Sequence, residues 1–239
     1  MRITYKYLLD IGCGRGYRTF QLSKKPYTHV FGIDLSKENI SLAKKRYPGV
    51  KFSVMNAQNL RFKTGMFDSV YAVDVLEHVN NVEAVLRGIS NIVKKNGSAV
   101  IIVPGERSEQ WLQRLRPTYF KEIHHVRIFK KGKMEKLFAQ YGFTLKTKKA
   151  TNFLQHLELY YFFKTSKQSA CQLEIGSWNN NMLSMGIHAL VASFDPYWVF
   201  HSPLKYIPIW LLTLPVGIVG NYFGNKYMPK SMYYEFVKK

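Results

Sequence analysis

The chain has 239 residues, of which 35 are Lys or Arg and 15 are Asp or Glu, so its formal net charge is +20. A hydrophobic fraction of 46% with 15% aromatic residues excludes an intrinsically disordered chain, because such a composition can bury a sizeable core. The charge excludes a polycationic partner and leaves nucleic acid, anionic lipid or an acidic substrate open.

Two further features of the sequence predict a cytoplasmic protein. The two cysteines, Cys13 and Cys171, are too few for a disulfide scaffold and indicate a reducing compartment. The first ten residues do not resemble a signal peptide, because a glycine-rich turn follows before a long apolar region can develop.

Strands and helices alternate along the first 150 residues. Apolar runs predict strands at 7–11, 30–34, 50–55, 67–73, 98–103 and 143–147, with a seventh at 231–237. Helices are predicted at about 17–24, from the N-cap Ser36 to Arg46, over an apolar-rich stretch ended by Asn96-Gly97, and at 130–141. This alternation predicts an α/β fold with a mostly parallel sheet that is covered on both faces.

A glycine-rich loop follows the first predicted strand. Its pattern is Asp10-x-Gly12-x-Gly14-x-Gly16, and such glycines allow positive φ angles and a close approach of a ligand to the backbone. A dinucleotide-binding fingerprint would need its third glycine at position 17, where Tyr17 stands. A P-loop is excluded because no Gly-Lys-Ser/Thr sequence follows.

An acidic residue ends the second predicted strand. Asp34 lies 18 residues after Gly16, at the carboxyl edge of the predicted sheet. A carboxylate in this place can accept hydrogen bonds from both ribose hydroxyls of a nucleoside cofactor. The glycine loop and Asp34 together therefore predict a nucleoside-cofactor site.

Three segments resemble the class I S-adenosylmethionine-dependent methyltransferases, in the small-molecule branch related to the ubiquinone and menaquinone methyltransferases (methyltransferase type 11). They are 8–16, which is similar to motif I, 67–79 with its Asp74-Val75-Leu76-Glu77-His78 sequence, and 125–143 before the sixth strand. The resemblance covers about residues 5–149. It implies a Rossmann-like, doubly wound, mostly parallel seven-stranded sheet, and S-adenosyl-L-methionine as the cofactor.

The resemblance also implies the residues that hold this cofactor. Asp10, Gly12 and Gly14 are expected at the methionine end, Asp34 at the ribose and Leu35 against the adenine. Asn56 and Ala57 stand where the family usually has an acidic residue near the adenine. The full set of expected cofactor-binding residues is Asp10, Gly12, Cys13, Gly14, Gly16, Asp34, Leu35, Asn56, Ala57 and Asp74.

A general base is needed only where the methyl acceptor must lose a proton. The candidates are Glu77, His78 and His124, with Tyr119 and His125 as further possibilities, and Glu77-His78 is expected to open a helix. The alternative for each is a structural role, such as a favourable interaction with a helix dipole or the orientation of a loop. Adjacent Glu77 and His78 have poor spacing for a shared metal ion on a helix, so no metal site is predicted.

The last third of the chain contains one long uncharged stretch. Residues 206–225 form a run of 20 without a formal charge, and aromatic residues and lysines lie toward its ends. An interfacial or re-entrant hairpin, a hydrophobic substrate lid and a true membrane span remain alternatives. The predicted organisation is a methyltransferase core at 1–150, a hydrophobic helical insertion at 151–230, whose first helix is expected at 153–163, and the last strand at 231–239.

The positive charge is uneven along the sequence. Residues 1–104, 105–150 and 151–239 carry net charges of +9, +8 and +3. The middle segment is the shortest and therefore has the highest net positive charge per residue. A basic segment before an aromatic-flanked apolar run suits an anionic membrane surface, at the inner face of the membrane. Nucleic acid is not expected as a partner, because the segment lacks aromatic residues interleaved for base stacking.

The sequence therefore predicts methyl transfer from S-adenosylmethionine to a small, hydrophobic or lipid-like acceptor. The alternatives are an RNA or protein methyltransferase, and a non-catalytic, membrane-associated protein that binds S-adenosylmethionine. No oligomeric state is indicated.

Overall fold

The structure of the protein is a computed structural model, which describes residues 6–26, 28–151, 153, 156, 159, 219–220 and 222–239. Its strands are β1 (Lys6–Ile11), β2 (Thr28–Asp34), β3 (Lys51–Val54), β4 (Phe67–Val73), β5 (Val93–Pro104), β6 (Phe143–Thr151) and β7 (Ser231–Lys238). Its helices are α1 (Tyr17–Ser23), α2 (Lys37–Arg46), α3 (Val82–Ile92), α4 (Glu106–Leu115), α5 (Tyr119–Ile123) and α6 (Lys133–Gln140).

The seven strands form one sheet in the order β3-β2-β1-β4-β5-β7-β6. The pairs β1–β2, β1–β4, β2–β3 and β4–β5 are parallel. The chain runs in opposite directions in β6 and β7, because Thr144 donates to the carbonyl of Val237 while Lys146 pairs with Glu235. The predicted Rossmann-like, mostly parallel sheet is confirmed.

The central strands are apolar because helices cover the sheet on both faces. In β1, Leu8, Leu9 and Ile11 are buried, and Asp10 between them is buried as well. Helix α3 contributes an apolar stripe at helical spacing, made of Val82, Val85, Leu86, Ile89 and Ile92. This core fixes the carboxyl ends of β1, β2 and β4 at one edge of the sheet.

The prediction for residues 93–97 was wrong. Asn96-Gly97 does not end a helix, because α3 already ends at Ile92 and β5 begins at Val93. Val93 pairs with Phe67, and the pairing resumes at Ser69 with Ser98, so residues 94–97 bulge out of the ladder. Asn96 has a φ of 61° in this bulge, and a left-handed conformation is one that asparagine tolerates.

The helix expected to begin at Glu77-His78 also starts later. Residues 76–78 form a turn, and α3 begins at Val82 with Asn81 as its N-cap. The Asn81 side-chain oxygen accepts a hydrogen bond from the amide of Ala84 at 2.9 Å. This capping bond satisfies one of the free amides at the start of the helix, which places the helix boundary there.

The described residues divide into two compact units, 1–103 with 129–149 and 233–239, and 104–128 with 150–232. The first unit contains the glycine loop. The second has its own apolar cluster, which consists of Leu112 on α4, Tyr119 on α5 and Leu159. No helix was predicted at the positions of α4 and α5. The domain boundaries at 150 and 230 remain a proposal.

Most of the predicted helix at 153–163 and most of the uncharged run at 206–225 lie outside the described residues, although residues 156 and 159 are described and are helical. Residues 219–220 and 222–227, at the end of that run and just beyond it, are helical. Among the helices that the structure describes, none is both long enough and apolar enough to cross a membrane.

Candidate functional site

The three glycines of the loop after β1 all have left-handed backbone angles, but their surroundings differ. Gly12, Gly14 and Gly16 have φ of 68°, 52° and 85°. A Cβ at Gly16 would lie 2.7 Å from the Phe52 ring, and one at Gly12 would overlap Val75. At Gly14 no described atom lies within 4 Å of that position, so open space adjoins the backbone there.

Asp34 links the glycine loop to the end of β2. Its Oδ2 accepts a hydrogen bond from the Gly14 amide, and its Oδ1 accepts one from the Ser36 amide, each at 2.9 Å. The carboxylate is partly buried and fixed in position, and each oxygen can accept a further hydrogen bond. This is the geometry that two ribose hydroxyls require.

An exposed apolar surface follows Asp34. Leu35 is 70% exposed and Val54, which pairs with Asp34 on the neighbouring strand, is 46% exposed. Asn56 is exposed and Ala57 partly buried, and the Asn56 side chain accepts a hydrogen bond from the amide of Gln58 at 2.9 Å. Open space at the glycine loop, a fixed carboxylate and an apolar surface fit the backbone, ribose and adenine contacts of a nucleoside cofactor.

Asp10 lies beneath the loop and is fully buried. Its Oδ1 accepts from Nε and Nη2 of Arg18 at 2.8 and 2.5 Å, and its Oδ2 accepts from the Thr19 hydroxyl at 2.7 Å. Arg18 and Thr19 were missed by the sequence analysis. Their positions on the helix after the loop were the available signal, since residues eight and nine positions beyond a strand-end carboxylate can fold back onto it.

Cys13 lies in the loop with a buried side chain. Burial, with the nearby charges of Asp10 and Asp34, raises the pKa of its thiol from 9.0 to about 12. The thiol is therefore protonated at neutral pH. Because the thiolate is the nucleophilic form of cysteine, the protonated Cys13 thiol does not act as a nucleophile at neutral pH.

The turn after β4 contains three of the predicted site residues. Asp74 has a φ of 53°, is exposed, and its amide donates to the carbonyl of Ile102 at 3.0 Å. Glu77 is buried and His78 is exposed, and the His78 amide closes the turn onto the carbonyl of Val75. Asp74 and His78 thus lie in the unit that holds the glycine loop and are accessible from solvent.

His124 lies in the other unit, at the end of α5. It is exposed and has a φ of 58°. Its neighbour His125 is far less exposed, with Nδ1 2.5 Å from Oε2 of the buried Glu109. Sequence reasoning missed Glu109, because the contact spans 16 residues and no motif contains it.

A second histidine in this unit is also held by α4. His156 has Nδ1 2.6 Å from the carbonyl oxygen of Phe153, so this nitrogen carries the proton, and Nε2 accepts from the hydroxyl of Ser108 at 2.8 Å. Burial lowers the pKa of His156 from 6.5 to about 4, in spite of the favourable Phe153 carbonyl. His156 is neutral at physiological pH.

A family model for a methyltransferase domain matches residues 3–148, which contain the glycine loop and Asp34. The chain belongs to this methyltransferase family. The predicted resemblance to the class I S-adenosylmethionine-dependent methyltransferases is confirmed, and with it S-adenosylmethionine as the cofactor of the class. The role of each predicted site residue stays a prediction.

Individual relatives match about 40–50% of this methyltransferase. Phosphoethanolamine N-methyltransferase 1 of Zea mays is 31% identical over 134 residues, which are 51% of this chain and 26% of that enzyme. The ubiquinone biosynthesis O-methyltransferase of Pelagibacter ubique is 35% identical over 94 residues, which are 38% of each chain. The match thus spans well under half the length of either relative.

A solved structure shares the fold over a longer stretch. Phosphoethanolamine N-methyltransferase 2 of Haemonchus contortus, in complex with S-adenosyl-L-methionine, gives a TM-score of 0.60 at 15% identity. The similarity covers 100% of this chain and 50% of that one. At this level of identity, the comparison supports the fold.

Proposed function

We propose that this methyltransferase transfers a methyl group from S-adenosylmethionine to a small, hydrophobic or lipid-like acceptor. The observation that carries the proposal is the fixed carboxylate of Asp34. Two backbone amides, of Gly14 and Ser36, hold it at the carboxyl edge of the sheet, where open parallel sheets bind their ligands.

The bound cofactor supplies a methyl group that is already activated on a sulfonium. The protein therefore has to orient the donor and the acceptor and exclude water. In this chain, Asp34 and the glycine loop orient the methyl donor, and Leu35 provides the apolar contact for the adenine. His78 is the accessible candidate for removing a proton from the acceptor, because it is exposed whereas the preceding residue, Glu77, is buried.

One observation supports a small acceptor, and a second supports an apolar one. The relatives named above are enzymes of phosphoethanolamine and ubiquinone chemistry, both of which have small acceptors. Within the chain, large apolar or aromatic side chains of the last helical segment are exposed to solvent, namely Val219, Tyr222, Phe223 and Tyr227. Lys226 is exposed among them, and this combination of aromatic residues and lysine suits an anionic membrane interface.

Calorimetry with S-adenosylmethionine tests the cofactor site. In Asp34→Ala we expect the affinity to fall by about tenfold or more, because hydrogen bonds to a charged group are lost. Asp68→Ala is the matched control. Asp68 lies at the start of β4 in the same unit, and its carboxylate pairs with Lys94. Equal binding by wild type and Asp34→Ala would contradict the proposed site.

A transfer assay with radiolabelled methyl donor tests the acceptor. We expect label in lipid extracts presented in anionic vesicles, and none in RNA or in protein. Label in RNA or protein would support the corresponding alternative function. Tight cofactor binding with no labelled product from any extract would support a non-catalytic binding protein.

A further inference from the structure

Arg18 is held directly against the glycine loop. Its Nε and Nη2 donate to Asp10, and Nη2 also lies 3.4 Å from the carbonyl oxygen of Gly12. The side chain is 31% exposed. Its Nη1 has no hydrogen-bond partner within the described part of the chain, so the guanidinium keeps a donor that can reach a ligand at the loop.

Asp10 explains why this cation is needed beneath the loop. The Asp10 side chain is fully buried, and an isolated buried carboxylate is costly and would repel an anionic group near the loop. Arg18 neutralises this charge. A guanidinium carries five N–H donors in a planar fork, so it can pair with Asp10 and still bind a second carboxylate.

Two charged side chains from outside the glycine loop contact different residues of it. Asp34 accepts from Gly14 and is the proposed ribose contact, whereas Arg18 lies at Gly12. If the nucleoside occupies the Gly14 side, the amino-acid part of the cofactor occupies the Gly12 side. That part carries a carboxylate, which is ionised at neutral pH and prefers a guanidinium partner.

We propose that Arg18 binds the carboxylate of the methionyl moiety of S-adenosylmethionine, with Asp10 as the residue that positions the guanidinium. The inference rests on the proposed function, because it requires that cofactor. It also gives Asp10 an indirect part at the methionine end, where the sequence predicted a direct one.

The test compares two ligands by calorimetry, S-adenosylmethionine and its decarboxylated form. The decarboxylated form keeps the sulfonium, the amino group and the nucleoside, and lacks only the carboxylate. We expect the wild type to prefer the complete cofactor. In Arg18→Gln, its affinity should fall by about tenfold or more, while that of the decarboxylated form changes by less than about twofold.

Three further variants distinguish binding from folding. Arg87→Gln removes an exposed arginine of α3, in the same unit but outside the glycine loop, and should leave both affinities unchanged. Asp10→Asn/Arg18→Gln removes both charges of the pair, so no unpaired buried carboxylate remains, and it should show the same selective loss as Arg18→Gln. Arg18→Lys keeps the positive charge and should recover part of the preference.

The outcomes separate this inference from the function on which it rests. Equal losses for both ligands in Arg18→Gln and in the double variant would overturn the inference and make Arg18 a structural residue. A selective loss in Arg87→Gln in place of Arg18→Gln would also overturn it, as would a wild type that binds both ligands equally. A wild type that binds neither ligand would overturn the proposed function itself.

Discussion

At the scale of single residues, Gly14 and Gly16 have the same kind of backbone but different tasks. Both have positive φ, which costs an L-residue roughly 1–2 kcal/mol. Only Gly16 is also enclosed, since a Cβ there would lie 2.7 Å from the Phe52 ring and 2.8 Å from the Ala43 side chain. Gly16 therefore serves the packing of α1 on the sheet, while Gly14 leaves room for a ligand.

Paired alanine substitutions separate the two tasks. We expect Gly14→Ala to lower the free energy of unfolding by about 1 kcal/mol and Gly16→Ala by about 2–4 kcal/mol, because overpacking adds to the backbone cost. Urea unfolding measures both changes. Cofactor affinity in Gly14→Ala should fall because the added methyl occupies the open space, and unchanged affinity would show that the ligand does not approach this glycine.

The residue pattern predicted the loop but not what its side chains contact. The spacing of Asp10, Gly12 and Gly14 is local, so a sequence shows it directly. The contact of Arg18 with Asp10 depends on where α1 packs, and the contact of His125 with Glu109 depends on where α4 packs. Such contacts arise from tertiary packing, which no local pattern specifies.

At the scale of elements, the start of α2 lies directly after Asp34 and holds its carboxylate in position. Ser36 is its N-cap, and its hydroxyl accepts from the amide of Asn39 at 3.1 Å. The Ser36 amide donates to Asp34, so the same residue starts the helix and holds the carboxylate. The helix start was predictable because a serine preceded an apolar helical pattern, and α2 starts as predicted.

Ser36→Ala removes the cap and keeps the amide that holds Asp34. We expect the free energy of unfolding to fall by about 1 kcal/mol, the usual contribution of an N-cap. We expect the affinity for S-adenosylmethionine to change by less than about twofold, because the backbone amide that holds Asp34 is still present in the variant. Urea unfolding and calorimetry measure the two quantities, and a tenfold loss of affinity would show that the cap itself orders the carboxylate.

Other elements were less predictable for physical reasons. The bulge at 94–97 depends on pairing between β4 and β5, and Lys94 of the bulge reaches both oxygens of Asp68 at 2.9 Å. Asn96-Gly97 is a common turn sequence, so it was interpreted as a helix end. The segment of α4 and α5 is rich in charged residues, and its buried positions Ser108 and Glu109 are polar, which hides the apolar periodicity of a helix.

At the scale of the whole molecule, each of the two units has its own core, and the two cores differ in their polar content. The first unit is built on the apolar sheet. The second has an apolar cluster together with the buried polar pairs Ser108–His156 and Glu109–His125. Because buried polar groups need their partners, this unit is sensitive to a change in protonation.

His156 gives the sign of that pH dependence. Its pKa is about 4 in the folded protein and 6.5 as the ordinary value, so the unfolded chain binds more protons between these values. The stabilisation due to neutral His156 is therefore complete above about pH 6.5 and is lost as the pH falls toward 4. We expect the protection of the α4 amides against hydrogen exchange, measured relative to the intrinsic exchange rate at each pH, to fall over this window, because α4 carries the Ser108 partner of the neutral ring.

His156→Gln is the matched variant for this prediction. Glutamine can donate and accept hydrogen bonds at the same position but does not titrate in this range. The variant should be less stable than wild type at pH 7, and the protection of its α4 amides should lose most of its dependence on pH between 4 and 6.5. The same dependence in both proteins would show that His156 is not its source and would contradict the prediction.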